Sequence, residues 1–368
     1  LGIPMFGHAF YQAWHVPFSD GWPIGPADPD PWLRLSLVRD WLSGTGWYDH
    51  EVLRSNTPHA GISTPWTRPL DVAIALLVTL QLGDAPLTVV LQRAALLLPV
   101  LWMLLLVGGL CRAVHQLAAP PMGAIMVVAL IGAMPVIWNY FGSGNADHHA
   151  LLCALWVWAL VPLLANHTTA RPIIYSGMLL AFMLWISPEA LVLIGVLYGF
   201  YGLAWLAGHE TAKRLVVLST SVALSSLVAL LIERPPAQWT LPIYDSLSIV
   251  HPFVLSLAAL LSWLLFLLSD RLRTLHHRLI AAVIGISAVL AAIGYVCPKF
   301  FLGPMAEVDA FIFSDFLPRI TEAQPLFSER PFYVVAMLIQ PIAALLVCAH
   351  QLRKRSYLYS PYQCWFLL

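Results

Sequence analysis

The sequence predicts an all-α, polytopic membrane protein: a bundle of transmembrane helices with a large first loop outside the bilayer. Three observations carry this. Of 368 residues, 60% are hydrophobic and only 10% charged, and the mean hydropathy is +0.77, far from soluble-domain usage. The apolar runs recur from Leu70 to Ala349 rather than forming one anchor. In lipid such runs must satisfy their own backbone hydrogen bonds, as helices do. The short loops between them alternate in charge, basic and then acidic. A formal net charge of zero gives no field for nucleic acid. Fifteen Trp and twelve Tyr suit interfacial belts. The five Cys are scattered without metal-ligand spacing.

In chain order, residues 1–66 hold no spanning segment and read as a first extracytoplasmic loop; residues 67–368 are the bundle. Within the loop, Pro31–Leu42 predicts a helix. Trp32, Leu35 and Val38–Leu42 form its apolar stripe, with Arg34 and Arg39 on the other face. Pro29 and Pro31 hold the backbone extended around Asp30, placing it at or beside the helix N-terminus; an ordinary N-cap is the simplest role there. Leu70–Leu82 is short for a crossing and carries Asp71 at its start, which suggests a half-inserted or steeply packed helix. The remaining runs are Leu87–Leu110, Met122–Trp138, Leu151–Leu164, Ile173–Ile186, Ala190–Leu206, Leu215–Ile232, Phe253–Leu268, Leu279–Val296 and Phe332–Ala349. The chain begins at Leu1 and stops in the apolar Cys364–Leu368, so both ends are expected to be cut.

Lys and Arg orient the bundle. One set of alternate loops holds Arg112, Arg171, Lys213 with Arg214, Arg271 with Arg273 and Arg278, and Arg353–Arg355; these should be cytoplasmic. The other set, 141–149, 187–189, 233–252 and 297–331, carries most of the acids and should face the opposite side. Asp28, Asp30, Asp147, Glu307, Asp309, Asp315 and Glu322 then share one membrane face.

The densest chemistry lies in Phe141–Leu152, which contains Gly-Asn-Ala-Asp-His-His. Gly142 and Gly144 suit a sharp turn, and Asn145 can cap the following helix. Asp147 and His149 can reach one divalent cation if the backbone is not yet regular helix. The simpler reading is a helix cap with two interfacial histidines. Glu322, in Thr-Glu-Ala-Gln-Pro, reads by itself as a solvated loop carboxylate.

Taken together, three stretches resemble the catalytic subunits of oligosaccharyltransferases. Asp30-Pro-Trp-Leu-Arg34 looks like the Asp-Pro-aromatic stretch of their first outer loop. Gly144–His149 is similar to the Asp-His-His form of their second acidic motif, as in archaeal members. Thr321–Pro325 is similar to their Ser-Glu-His-Gln-Pro motif, with Thr for Ser and Ala for His. The resemblance runs in family order from about Asp28 to Pro325. It implies a GT-C glycosyltransferase fold and a lipid-linked sugar donor on a polyprenyl phosphate or diphosphate. Asp30, Asp147 and His149 match the ligands of a divalent cation, Mn²⁺ or Mg²⁺. Asp30 also orients the acceptor in that scheme, and Glu322 approaches metal and acceptor. His148, Arg34, Arg93, Arg319 and Arg330 are candidates for the donor phosphate. Arg93, two turns into its run, also reads as a residue that snorkels to the interface. The Trp-Trp-Asp motif of sequon-reading members does not occur in the 368 residues. The acceptor therefore stays open between a protein Asn and a lipid or surface glycan, lipid A among them.

Lesser signals remain. His50 and His59 could form another metal site, though loop histidines are commonly solvated. Tyr244-Asp-Ser246 and His251 could line a donor entrance. Ser187-Pro-Glu189 reads as a turn with an interfacial acid. A lipid or sugar transporter is the competing class, but transporters keep ionisable groups near the bilayer midplane, and here the acids sit in loops. The expected setting is a prokaryotic inner membrane with the site outside the cytoplasm.

Overall fold

The computed structural model describes residues 29–52, 61–81, 85–117, 121–134, 140–164, 169–209, 211–307 and 331–354, with isolated positions between them. The architecture is a polytopic helical bundle. Its elements are α1 (Pro29–Leu42), a short antiparallel pair β1 (Glu51–Val52) and β2 (Ile62–Ser63), α2 (Arg68–Thr79), α3 (Leu87–Gln116), α4 (Pro121–Gly132), α5 (His149–Leu164), α6 (Arg171–Ile186), α7 (Ala190–Leu206), α8 (Ala212–Glu233), α9 (Val250–Leu267), α10 (Leu275–Val296) and α11 (Pro331–Lys354). Among the described residues α3, α8, α9 and α10 are long and apolar enough to cross a membrane.

The apolar runs predict these helices closely. The helix α1 begins two residues early and carries Asp30 in its first turn. The short segment is α2, only 12 residues long. At its C-terminal end α3 outruns its apolar run, because Cys111–Gln116 is polar but helix-competent. By contrast α4 stops at Gly132, short of the predicted Trp138; Pro135 lies three residues beyond and cannot continue the backbone ladder.

Small residues and single polar bonds join the helices, as expected where lipid competes for apolar contact. A Cβ on Gly177 of α6 would lie 2.6 Å from the Ser221 Cβ of α8, and the Ser221 hydroxyl donates to the Ile174 carbonyl at 2.9 Å. Trp158 of α5 donates to the Leu105 carbonyl of α3 at 2.8 Å where Gly109 leaves room for its ring. Trp263 of α9 donates to the Thr220 hydroxyl of α8 at 3.0 Å. Most of α10 lies outside this core, with only Ala282 and Ile293 buried.

The first loop is bolted to one end of the bundle by buried polar groups. Glu233, at the end of α8, is 1% exposed. It accepts from the Trp185 indole at 2.6 Å and from the Arg68 backbone N–H at 3.3 Å. His50 Nε2 approaches its other oxygen at 3.2 Å, within ion-pair range but off the hydrogen-bond angle. Trp47 donates to the Ile232 carbonyl at 3.0 Å, and the Thr67 hydroxyl donates to the Trp185 carbonyl at 2.5 Å. The Arg68 side chain donates to the carbonyls of Gly46, Trp47 and Asp49 and to Asp71.

Arg34 departs from its predicted place. It belongs not to the polar face of α1 but to the interior, 1% exposed. The reason is Asp71, equally buried, whose Oδ1 accepts from Arg34 Nη1 at 3.0 Å while Oδ2 accepts from Arg68 Nη1 at 3.1 Å. The Trp66 ring covers the Arg34 guanidinium at 4.5 Å. The opposite end of the bundle is basic. There Arg278, in the first turn of α10, donates to the Trp205 carbonyl at the end of α7 at 2.9 Å.

Candidate functional site

The site grows from the turn before α5. The Asn145 N–H donates to the Gly142 carbonyl at 3.1 Å, closing a β-turn whose third residue is Gly144, with φ +84°. That position favours glycine, which has no Cβ to clash. The first α-helical bond of α5 runs from Leu152 N–H to the His148 carbonyl at 2.9 Å. The helix therefore opens at His148, not at Asn145. Asp147 is left in irregular backbone against the helix N-terminus, where its carboxylate can turn back onto both histidines.

It does so with one oxygen each. Oδ1 lies 2.6 Å from His148 Nδ1, and Oδ2 lies 3.4 Å from His149 Nε2. A single ligand atom from each of Asp147, His148 and His149 can be chosen with all three within 4.8 Å of one another. The His149 ring is flanked by Tyr140 and His148, at centroid distances of 4.7 and 4.3 Å. The buried Asp147 carboxyl is pushed up by desolvation. The bond from the His148 ring, the charges of His148 and His149 and the His148 backbone N–H outweigh that and hold it well below the usual carboxylate range.

These distances divide the labour. A separation of 2.6 Å is a hydrogen bond, so His148 spends Nδ1 on Asp147. Two groups bound to one ion at roughly 2.1 Å lie roughly 3 Å or slightly more apart, as Asp147 Oδ2 and His149 Nε2 do. One carboxylate and one imidazole suit Mn²⁺ or Zn²⁺, whereas Mg²⁺ prefers an all-oxygen set.

Of the other predicted residues, Arg34 and His50 have partners of their own. Asp30 is half-buried in the first turn of α1 and is not one of the clustered three. Arg93 is half-buried two turns into α3. Arg34 is enclosed with Asp71. Glu322, Arg319, Arg330 and His59 lie outside the described residues. His50 faces Glu233 rather than a second histidine. In the 233–252 loop, Arg234 donates to Ser246 Oγ at 2.6 Å and to the Leu247 carbonyl at 3.2 Å, and His251 Nδ1 accepts from the Ser248 N–H at 3.3 Å. These bonds fold the loop on itself.

One residue was read only as a turn acid. Glu189, between α6 and α7, brings Oε2 to 3.7 Å from His149 Nδ1. The signal in the sequence is Ser187-Pro-Glu189. Ser187 is extended, with φ −152° and ψ 136°, its hydroxyl accepts from the Glu189 N–H at 3.3 Å, and Pro188 pre-sets the first turn. Glu189 is thereby fixed at a helix start beside the start of α5.

No family model matches the chain, and no curated protein matches it. Solved structures do. Over 100% of its length the chain superposes with a TM-score of 0.71 and 15% identity on 46% of the archaeal oligosaccharyltransferase AglB from Archaeoglobus fulgidus, in complex with an inhibitory peptide and a dolichol-phosphate. Against the oligosaccharyltransferase of the same organism tethered to an acceptor peptide containing the NVT sequon, the TM-score is 0.69 at 16% identity, over 45% of that chain. Against its complex with Zn and sulfate the values are 0.60, 14% and 48%. The chain thus spans about half the length of the structures it matches. At such identity the likeness is one of fold, the GT-C type that these structures share.

Proposed function

We propose that this protein is a metal-dependent GT-C glycosyltransferase. It moves a sugar or oligosaccharide from a polyprenyl phosphate or diphosphate carrier to an acceptor on the extracytoplasmic side. One observation carries the reading: in this fold the chain closes Asp147, His148 and His149 into a compact acid–imidazole trio at the start of α5. Comparison structures of the same fold are complexed with dolichol-phosphate, acceptor peptide and Zn.

In this reading Asp147 Oδ2 and His149 Nε2 hold a divalent cation, with Asp30 and Glu322 as carboxylates from the first and late loops. When bound, the cation neutralises charge developing on the phosphate leaving group as the anomeric carbon–oxygen bond breaks. His148 keeps Asp147 aimed through Nδ1, and its ring stands as a candidate contact for the donor phosphate. Arg93, Arg319 and Arg330 are further candidates for the donor phosphate. Arg34 is not carried forward, because its charge is already matched inside the protein.

Sidedness follows from charge. The loops rich in Arg and Lys belong to the cytoplasm, and the trio, Glu189 and Glu233 belong to the opposite end. The acceptor is a peptide Asn by analogy with the tethered complex, or a lipid or surface glycan.

The test uses the purified chain in nanodiscs with a polyprenyl-diphosphate-linked sugar. Release of polyprenyl diphosphate is followed with Mn²⁺, with Mg²⁺ and with EDTA, beside Asp147→Asn. Metal-dependent release lost in the variant is expected. Wild type that neither cleaves nor binds the donor with either metal sinks the reading.

A further inference from the structure

We infer that Glu189 is a positioning residue for His149: it accepts the Nδ1–H of that imidazole and so fixes Nε2 as the lone pair offered to the cation. The inference rests on the metal-site reading above, but the comparisons do not supply it. It comes from the two faces of one ring. His149 Nε2 looks toward Asp147 Oδ2 at 3.4 Å, and Nδ1 looks toward Glu189 Oε2 at 3.7 Å. A neutral imidazole carries hydrogen on one nitrogen only. If Nε2 is the ligand, Nδ1 must hold the hydrogen, and a carboxylate beside it stabilises that tautomer and raises ligand basicity.

The placement is built rather than incidental. Glu189 does not reach in from a long free loop. The Ser187 cap and Pro188 set its backbone at the mouth of α7, while Tyr140 and His148 restrict the His149 ring from both sides. At 3.7 Å the contact is longer than a full hydrogen bond. The Glu189 side chain is 62% exposed, so it has the freedom to close that distance when a cation draws electron density from Nε2. The competing role is ordinary: an acid at the N-cap of α7, favoured by the helix dipole. That role predicts a small loss of stability and no change in metal affinity.

The experiment measures Mn²⁺ affinity by electron paramagnetic resonance of free Mn²⁺, on the full chain in detergent without donor or acceptor. The variants are Glu189→Ala, Glu189→Gln, His149→Ala and, as an unrelated exposed acid, Glu51→Gln. The expected order is wild type equal to Glu51→Gln, Glu189→Gln weaker, and Glu189→Ala weaker still by roughly 10–100-fold, because the Gln amide oxygen still accepts. Glu189→Ala binding Mn²⁺ as wild type does, with His149→Ala impaired, overturns the positioning role and leaves the metal site standing. Wild type that binds no Mn²⁺ overturns this inference together with the metal dependence proposed for the enzyme.

Discussion

The carboxylate of Glu233, at the end of α8, accepts the indole N–H of Trp185, at the end of α6, at 2.6 Å. The same oxygen takes the Arg68 backbone N–H, and the other faces His50. One buried acid therefore ties two bundle helices to the first loop. Glu233→Ala strands two buried N–H donors, each costing about 1–3 kcal/mol. It should lower the melting temperature in detergent by several degrees. Glu233→Gln, which keeps one acceptor, should lose less. Equal melting of all three proteins would show that the first loop is held by other contacts.

Arg34 and Asp71 form the second tie. The pair is buried on both sides, 1% exposed each, and Arg68 shares the carboxylate. Asp71→Asn leaves two guanidiniums uncompensated in a dry site, at a cost of about 3–5 kcal/mol. Arg34→Gln leaves the Arg68–Asp71 pair in place and should destabilise the fold less. In the protein that remains folded, KM for the lipid-linked donor should be unchanged. A normal melting curve with a raised donor KM would instead return Arg34 to the phosphate.

What the sequence conveyed and what it hid divide along contact range. Helix positions were legible because apolar runs and their polar ends are local. Asp147 with His148 and His149 was legible because the chemistry is contiguous and Gly144 announces the turn. The surroundings of these groups were not. Arg34 looked like a solvated residue because Asp71, the group that draws it inward, lies on another helix. Glu189 looked like a turn acid because His149 meets it only when α5 and α7 start side by side. Glu233 looked like one more loop acid for the same reason. A charge's partner decides whether it is exposed, and no local pattern names that partner.

Gly177 tests the packing itself. A Cβ there would sit 2.6 Å from Ser221 Cβ and Oγ and 3.2 Å from the Leu218 carbonyl. Gly177→Ala must displace Ser221 and weaken its bond to the Ile174 carbonyl, an overpacking cost of about 1–3 kcal/mol. Gly177→Leu should be worse. Adding Ser221→Gly should recover part of the loss of Gly177→Ala, since the two side chains compete for one space. Additive melting temperatures in the double variant would mean that α6 and α8 separate rather than interlock.

Asp147 makes a prediction about acid. Burial raises its carboxyl, but the His148 ring bond and the two imidazole charges more than offset this, so the folded value lies below the 3.8 of a free side chain. A group depressed on folding contributes stability above its unfolded value and loses it as pH falls toward the folded one. The advantage of wild type over Asp147→Asn should therefore be intact at about pH 5 and shrink on acidification below about pH 4. Thermal melts of both proteins in metal-free buffer across that range measure it. A difference that stays constant down to about pH 3 would mean that Asp147 is not held by the histidines when no metal is bound. The trio would then be assembled by the cation rather than prepared for it.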